Sequence, residues 1–215
     1  MYRLSVSTYH HANALPEDVI LACHRFPCSS NIIYAHIENL RKTHETRGHD
    51  DLWIVLWATD TSQTYPRPSV AAVLSCTNGP LGAYPIFIFT PFSTELSVND
   101  LHQRALVIAQ ELLNNIPPDR VFSVFSTDAM ANAFASVWTE LTGVNICDGR
   151  PYYHAYLMYC DERTLTLRDV PSLEGAVFTP RLATEADIDK AKVLCFEFAA
   201  TSVSSSKDRP LVLLY

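Results

Sequence analysis

Glycine is scarce in this chain, six in 215 residues, and no two glycines are separated by a single residue. The glycine-rich loops through which backbone amides close on a phosphate are therefore missing. Clusters of positive charge are missing as well. The sixteen Lys and Arg are scattered, and Arg41-Lys42 is one of the few adjacent basic pairs. With a net charge of −7 and a sequence pI near 5.5, the chain lacks the basic face that nucleic acid requires. The first residues hold no long apolar run, because Leu4, Val6 and Thr8 alternate with polar neighbours. That stretch is expected to be neither a signal peptide nor a membrane span. The six cysteines, at 23, 28, 76, 147, 160 and 195, are irregularly spaced. They are expected to be reduced thiols of a cytoplasmic protein. No Gly-x-Ser-x-Gly occurs, so the chain has no nucleophile elbow of the hydrolase kind.

What is present is the composition of a folded protein: 48% apolar residues, 18% charged ones and thirteen prolines. The alternation at residues 4–8 predicts a first strand. Pro16, followed by Glu17, Asp18, Val19 and Ile20, predicts a helix that Phe26-Pro27 interrupts. Ser29, Ser30 and Asn31 then stand where the cap of a second helix belongs, with Ile33, Ile37 and Leu40 on its apolar face. Three strands are predicted at 52–57, 69–75 and 85–90, the first carrying Trp53 and Trp57 on one face. A helix at about 100–116 follows, striped by Leu101, Ala105, Ile108 and Leu112, and Pro117-Pro118 ends it. A strand at 120–126 precedes a helix capped by Thr127-Asp128, with Met130, Ala133, Phe134, Val137, Trp138 and Leu141 on its apolar face. Gly143 closes that helix. A last strand is predicted at 152–159. The order β-α-α-β-β-β-α-β-α-β implies an α/β fold, a central mixed sheet flanked by helices, with parallel neighbours where helices connect the strands.

Residues 161–175, with Pro171 and Gly175, read as a linker. Beyond it, 176–201 repeat the opening pattern of strand, capped turn and helix. Thr184 is its N-cap, Asp187 the acidic N3 residue, and Ile188, Ala191, Cys195 and Phe198 form one face.

Some chemistry-bearing groups have simpler readings. Cys23, His24 and Cys28 offer three soft ligands, but a structural zinc site needs a fourth, so a buried cysteine beside a surface histidine is expected. Tyr152, Tyr153, His154, Tyr156 and Tyr159 are the richest polar-aromatic cluster; strand packing accounts for them, the alternative being a tyrosine that acts as a proton donor.

Three stretches resemble GNAT-type acyl-CoA N-acyltransferases, in particular fungal tandem-domain members. They are residues 124–143, containing Phe134, Trp138 and Gly143; residues 151–160, containing Tyr152, Tyr153 and His154; and 181–201, from Arg181-Leu182-Ala183-Thr184 to Phe198 and Thr201. The resemblance implies a GNAT-like domain at 1–160, a linker at 161–175, and at 176–215 a C-terminal helical extension that is the truncated beginning of a second unit. In such tandem proteins the second unit does the chemistry and the first is a diverged copy. The family holds its coenzyme pyrophosphate in an Arg/Gln-x-x-Gly-x-Gly/Ala loop that opens the helix after the central strand. The corresponding stretch here, 90–100, contains neither Gly nor Arg and carries Glu95 and Asp100.

The expectation is a non-catalytic or vestigial acyltransferase-like protein that binds a small ligand or a protein partner, or self-associates through its C-terminal tail. No catalytic, cofactor-binding or metal-ligating residue is assigned, and no membrane or nucleic-acid partner. The alternative is an active acetyl-CoA-dependent N-acyltransferase of fungal secondary metabolism, or a truncated gene model of one.

Overall fold

The apolar run at 52–57 forms the first two thirds of a strand that has helices on both sides, which is why it does not alternate. In the computed structural model, residues 2–43, 51–79, 82–92, 95–144, 175, 181–201 and 212–214 are described. The elements in chain order are β1 (Tyr2–Tyr9), α1 (Glu17–Arg25), α2 (Pro27–Thr43), β2 (Leu52–Asp60), β3 (Pro68–Cys76), β4 (Asn78–Gly79), β5 (Gly82–Ala83), β6 (Ile86–Phe89), α3 (Val98–Asn115), β7 (Ser123–Phe125), α4 (Asp128–Thr142), α5 (Ile188–Thr201) and β8 (Val212–Leu214). The chain divides into two compact units, Met1–Leu157 with Lys207–Tyr215, and Met158–Ser206.

Among the described residues of the first unit, six strands form one mixed sheet in the order β1-β2-β3-β6-β7-β8, and β4 pairs with β5 as a separate hairpin. The first four are antiparallel neighbours, and β6-β7-β8 run parallel. The crossover from β6 through α3 to β7 thus gives the parallel pair expected of a helical connection. Side chains alternate between two cores. Ile54, Leu56, Leu74 and Ile86 pack with Ile108, Leu112, Phe134 and Trp138 of α3 and α4. Trp53, Val55, Val73 and Phe89 pack on the other face with Val19, Ile20, Cys23, Ile33 and Ile37 of α1 and α2. Trp57 joins this second core beyond a bulge between Leu56 and Trp57. Each fully buried aliphatic side chain stabilises the fold by roughly 1.5–3 kcal/mol relative to exposure.

Several boundaries differ from the sequence reading, each for a local reason. The second helix starts at Pro27, whose fixed φ suits a first helical position, so Ser29 and Ser30 lie inside its first turn rather than capping it. Ser30 instead donates to the Cys23 carbonyl at 2.8 Å, tying α2 to α1. The strand expected at 120–126 is only Ser123–Phe125, because Pro118–Arg120 close a 3-10 turn after α3. Leu141, expected on the apolar face of α4, is 39% exposed. Gly143 takes φ 73°, and its amide donates to the Thr139 carbonyl at 2.8 Å, closing α4 in the left-handed conformation that glycine adopts freely. The strand expected at 152–159, most of the linker and residues 176–180 lie outside the described residues. Residues 212–214, within the expected C-terminal tail, form β8, parallel to β7.

In the second unit, Thr184 and Asp187 form a capping box before α5. Both Asp187 carboxylate oxygens also accept from Arg181, at 2.6 and 2.7 Å. The guanidinium holds the Asp187 carboxyl far below the usual carboxylate range, with the Thr184 amide assisting. Val193, Leu194 and Phe196 of α5 are exposed.

Candidate functional site

Where β6 ends, the chain makes an unusual turn. Thr90 and Pro91 are buried, and Phe92 then takes φ 56°, a left-handed conformation that a bulky side chain rarely adopts. Such strain costs on the order of 1–3 kcal/mol and persists only where the surroundings fix it. The Phe92 ring packs edge-on against Phe26 at 4.3 Å between centroids. The Arg25 guanidinium lies 5.7 Å from the centre of each of these rings. The Glu95 amide donates to the Phe92 carbonyl at 2.9 Å and completes the turn.

Next comes the start of α3. Ser97 is the N-cap, and its hydroxyl accepts from the Asp100 amide at 3.1 Å while donating to the Asp100 carboxylate at 2.6 Å. The Ser97 carbonyl takes the Leu101 amide at 3.0 Å. The positive end of the helix dipole is thereby faced by the chain's own carboxylate. Two turns into the helix, Arg104 donates to the Ala71 carbonyl of β3 at 2.7 Å, and burial pulls its pKa down against the opposing charge of Asp100.

These parts enclose an open groove of about 530 Å³ at this end of the sheet. Its lining includes Tyr2, Leu21, Arg25, Ala71, Phe92 and Arg104. Asp18 and Glu95, both exposed, line it too. Among the described residues, neither Arg25 nor Arg104 takes part in an ion pair.

A smaller cleft of about 390 Å³ lies at the opposite end of the strands, lined by His10, Asp51, Cys76, Asn78 and Arg120 among others. Its groups are committed to structure. Arg120 donates to the carbonyls of Thr77 and Tyr84 at 2.7 and 3.1 Å, clamping the β4–β5 hairpin. Asp51 accepts from the Asn78 amide at 3.3 Å, and the His10 ring donates to the Asp51 carbonyl at 3.3 Å. Burial pushes the Cys76 thiol up, away from the thiolate that nucleophilic chemistry needs. Close by, His36 stacks on Trp53 and lies 2.8 Å from the Thr77 hydroxyl.

The residues weighed from sequence fall into separate places. Cys23 is buried, and desolvation pushes its thiol up to about 11. His24 lies 2.6 Å from the Tyr34 hydroxyl, and Cys28 is exposed. The tyrosine cluster at 152–159 lies outside the described residues. Sequence reasoning did not single out Arg25, Phe92 or Arg104. Arg104 left one signal, a cation on a predicted helix three residues from Leu101 and one from Ala105 of its buried stripe. The conformation of Phe92 left none, since no glycine or asparagine marks it. No protein-family model, curated protein or solved structure matches this chain.

Proposed function

We propose that this chain is a non-catalytic, vestigial relative of the GNAT-type acyl-CoA N-acyltransferases and that it acts by binding a ligand in the groove at the end of β6. The element order and the stretches at 124–143 and 181–201 suggest the ancestry. The loss of acyl transfer rests on one observation. The first turn of α3, where the family places its pyrophosphate loop, is capped by Ser97 and faced by Asp100, with Glu95 close by in sequence. A pyrophosphate brought there would meet like charge, and the Asp100 amide is already taken by the Ser97 hydroxyl. Adjacent to that turn, the groove supplies two guanidinium groups, the carboxylates of Asp18 and Glu95, and apolar walls.

Isothermal titration of the 215-residue protein with acetyl-CoA tests this reading. No heat at millimolar coenzyme is the expected result. Micromolar binding, about −8 kcal/mol, would overturn it and return the chain to the active acyltransferases.

A further inference from the structure

We propose that the groove at the end of β6 is a binding site for a small-molecule carboxylate with an apolar body, its carboxylate received by Arg104 and its body lying against Tyr2, Leu21 and Phe92. The proposal rests on the reading of the chain as a binding protein and names the ligand class of that same groove.

Arg104 anchors it. Its guanidinium is partly buried on the groove wall, fixed by one hydrogen bond to the Ala71 carbonyl, and has no ion pair among the described residues. A partly desolvated cation held by one neutral acceptor keeps further N–H groups for an anion. The planar fork of arginine matches a carboxylate in two-point contact. Holding the group in place beforehand lowers the ordering cost of binding.

The walls set the rest of the ligand. Tyr2, Leu21 and Phe92 are 71%, 55% and 44% exposed, a concentration of accessible apolar surface on one groove. Phe92 is held as a wall by its edge contact with Phe26 and by the Arg25 guanidinium over both rings. A groove of about 530 Å³ is the size of a metabolite site.

Charge selects among anions. Asp18 and Glu95 line the same groove as the two arginines, and the Asp100 carboxylate also acts on Arg104 from the same helix. A single carboxylate gains the attraction of Arg104 locally. A polyphosphate extending along the groove would meet the two acidic side chains as well.

The probe is 4-phenylbutyrate, titrated calorimetrically into the full chain, with 4-phenylbutan-1-ol as its uncharged counterpart. Sub-millimolar binding of the acid and at least tenfold weaker binding of the alcohol are expected. Arg104→Gln should weaken the acid tenfold or more and leave the alcohol unchanged. Arg104→Lys, which keeps the charge without the fork, should lie between. Leu21→Glu, an exposed position whose change spares the core, should abolish binding of both, and far-ultraviolet circular dichroism checks that each variant is folded. Absence of heat with 10 mM acid overturns the ligand class, as does equal binding of acid and alcohol or an Arg104→Gln variant that binds as the wild type does. Acetyl-CoA titrated into the same samples separates the two readings. Binding of coenzyme removes the non-catalytic reading, whereas silence toward both compounds removes only the carboxylate.

Discussion

The Ser97 hydroxyl lies 2.6 Å from the Asp100 carboxylate and 3.1 Å from the Asp100 amide, so one side chain both donates to and accepts from the same residue across the first turn of α3. This pair stabilises the helix and at the same time places negative charge at its start. Replacing Ser97 by Ala should cost about 1 kcal/mol, the usual loss for a helix cap, and replacing it by Gly only a few tenths. Urea denaturation followed by circular dichroism checks the order. Equal losses would mean that the hydroxyl contributes nothing specific.

His36 gives the fold an acid-sensitive point. Burial beneath Tyr84 and against Trp53 lowers its pKa from the ordinary 6.5, with Asp51 opposing the shift more weakly. The unfolded chain therefore takes up a proton here before the folded one does. The stability that this histidine contributes is full above about pH 6.5 and falls as pH drops from there through the folded-state value. His36→Gln should flatten that part of the profile, measured as the urea midpoint from pH 7.5 to pH 5. A midpoint that rises on acidification in the wild type relative to the variant would contradict the sign.

The apolar face of α4 is unequal along its length. Phe134 stacks on Trp138 with 5.6 Å between ring centres, and both are fully buried, whereas Leu141 is 39% exposed. Phe134→Ala should therefore cost about 3–5 kcal/mol, and Leu141→Ala well under half of that. Chemical denaturation of the two variants side by side decides the matter, and similar losses would refute the asymmetry.

Two cysteines five positions apart should differ sharply in reactivity. Cys23 is buried, with its thiol pushed up to about 11, while Cys28 is exposed. At pH 8 a maleimide should label the peptide carrying Cys28 within minutes and reach Cys23 only once denaturant is added. Peptide mapping by mass spectrometry reads both sites, and early labelling of Cys23 would mean that the α1–α2 layer opens readily.

Period and punctuation made much of this fold legible. Leu101, Ala105, Ile108 and Leu112 announce α3, Phe26-Pro27 marks the break between two helices, and Gly143 marks the end of α4, all by rules that act within a few residues. The helix between β6 and β7 likewise foretold a parallel pair. What escaped depends on partners distant in sequence. The late start of the strand expected at 120–126 goes with Arg120 reaching the carbonyls of Thr77 and Tyr84. The groove escaped because its two cations come from α1 and α3 and meet only after the sheet has formed. Phe92 escaped because tertiary contacts, not composition, hold its backbone where glycine would ordinarily sit.

The place of β8 has a consequence for the order in which the molecule can be assembled. Its residues, Val212–Leu214, pair with Ser123–Phe125 of β7, so one side of β7 stays without its neighbour until the ribosome has passed residue 214. During that interval the nascent chain carries an open strand edge, a template for joining another chain. Synthesis that stopped short of 212 would leave β7, in place of β8, as the last strand of the sheet among the described residues.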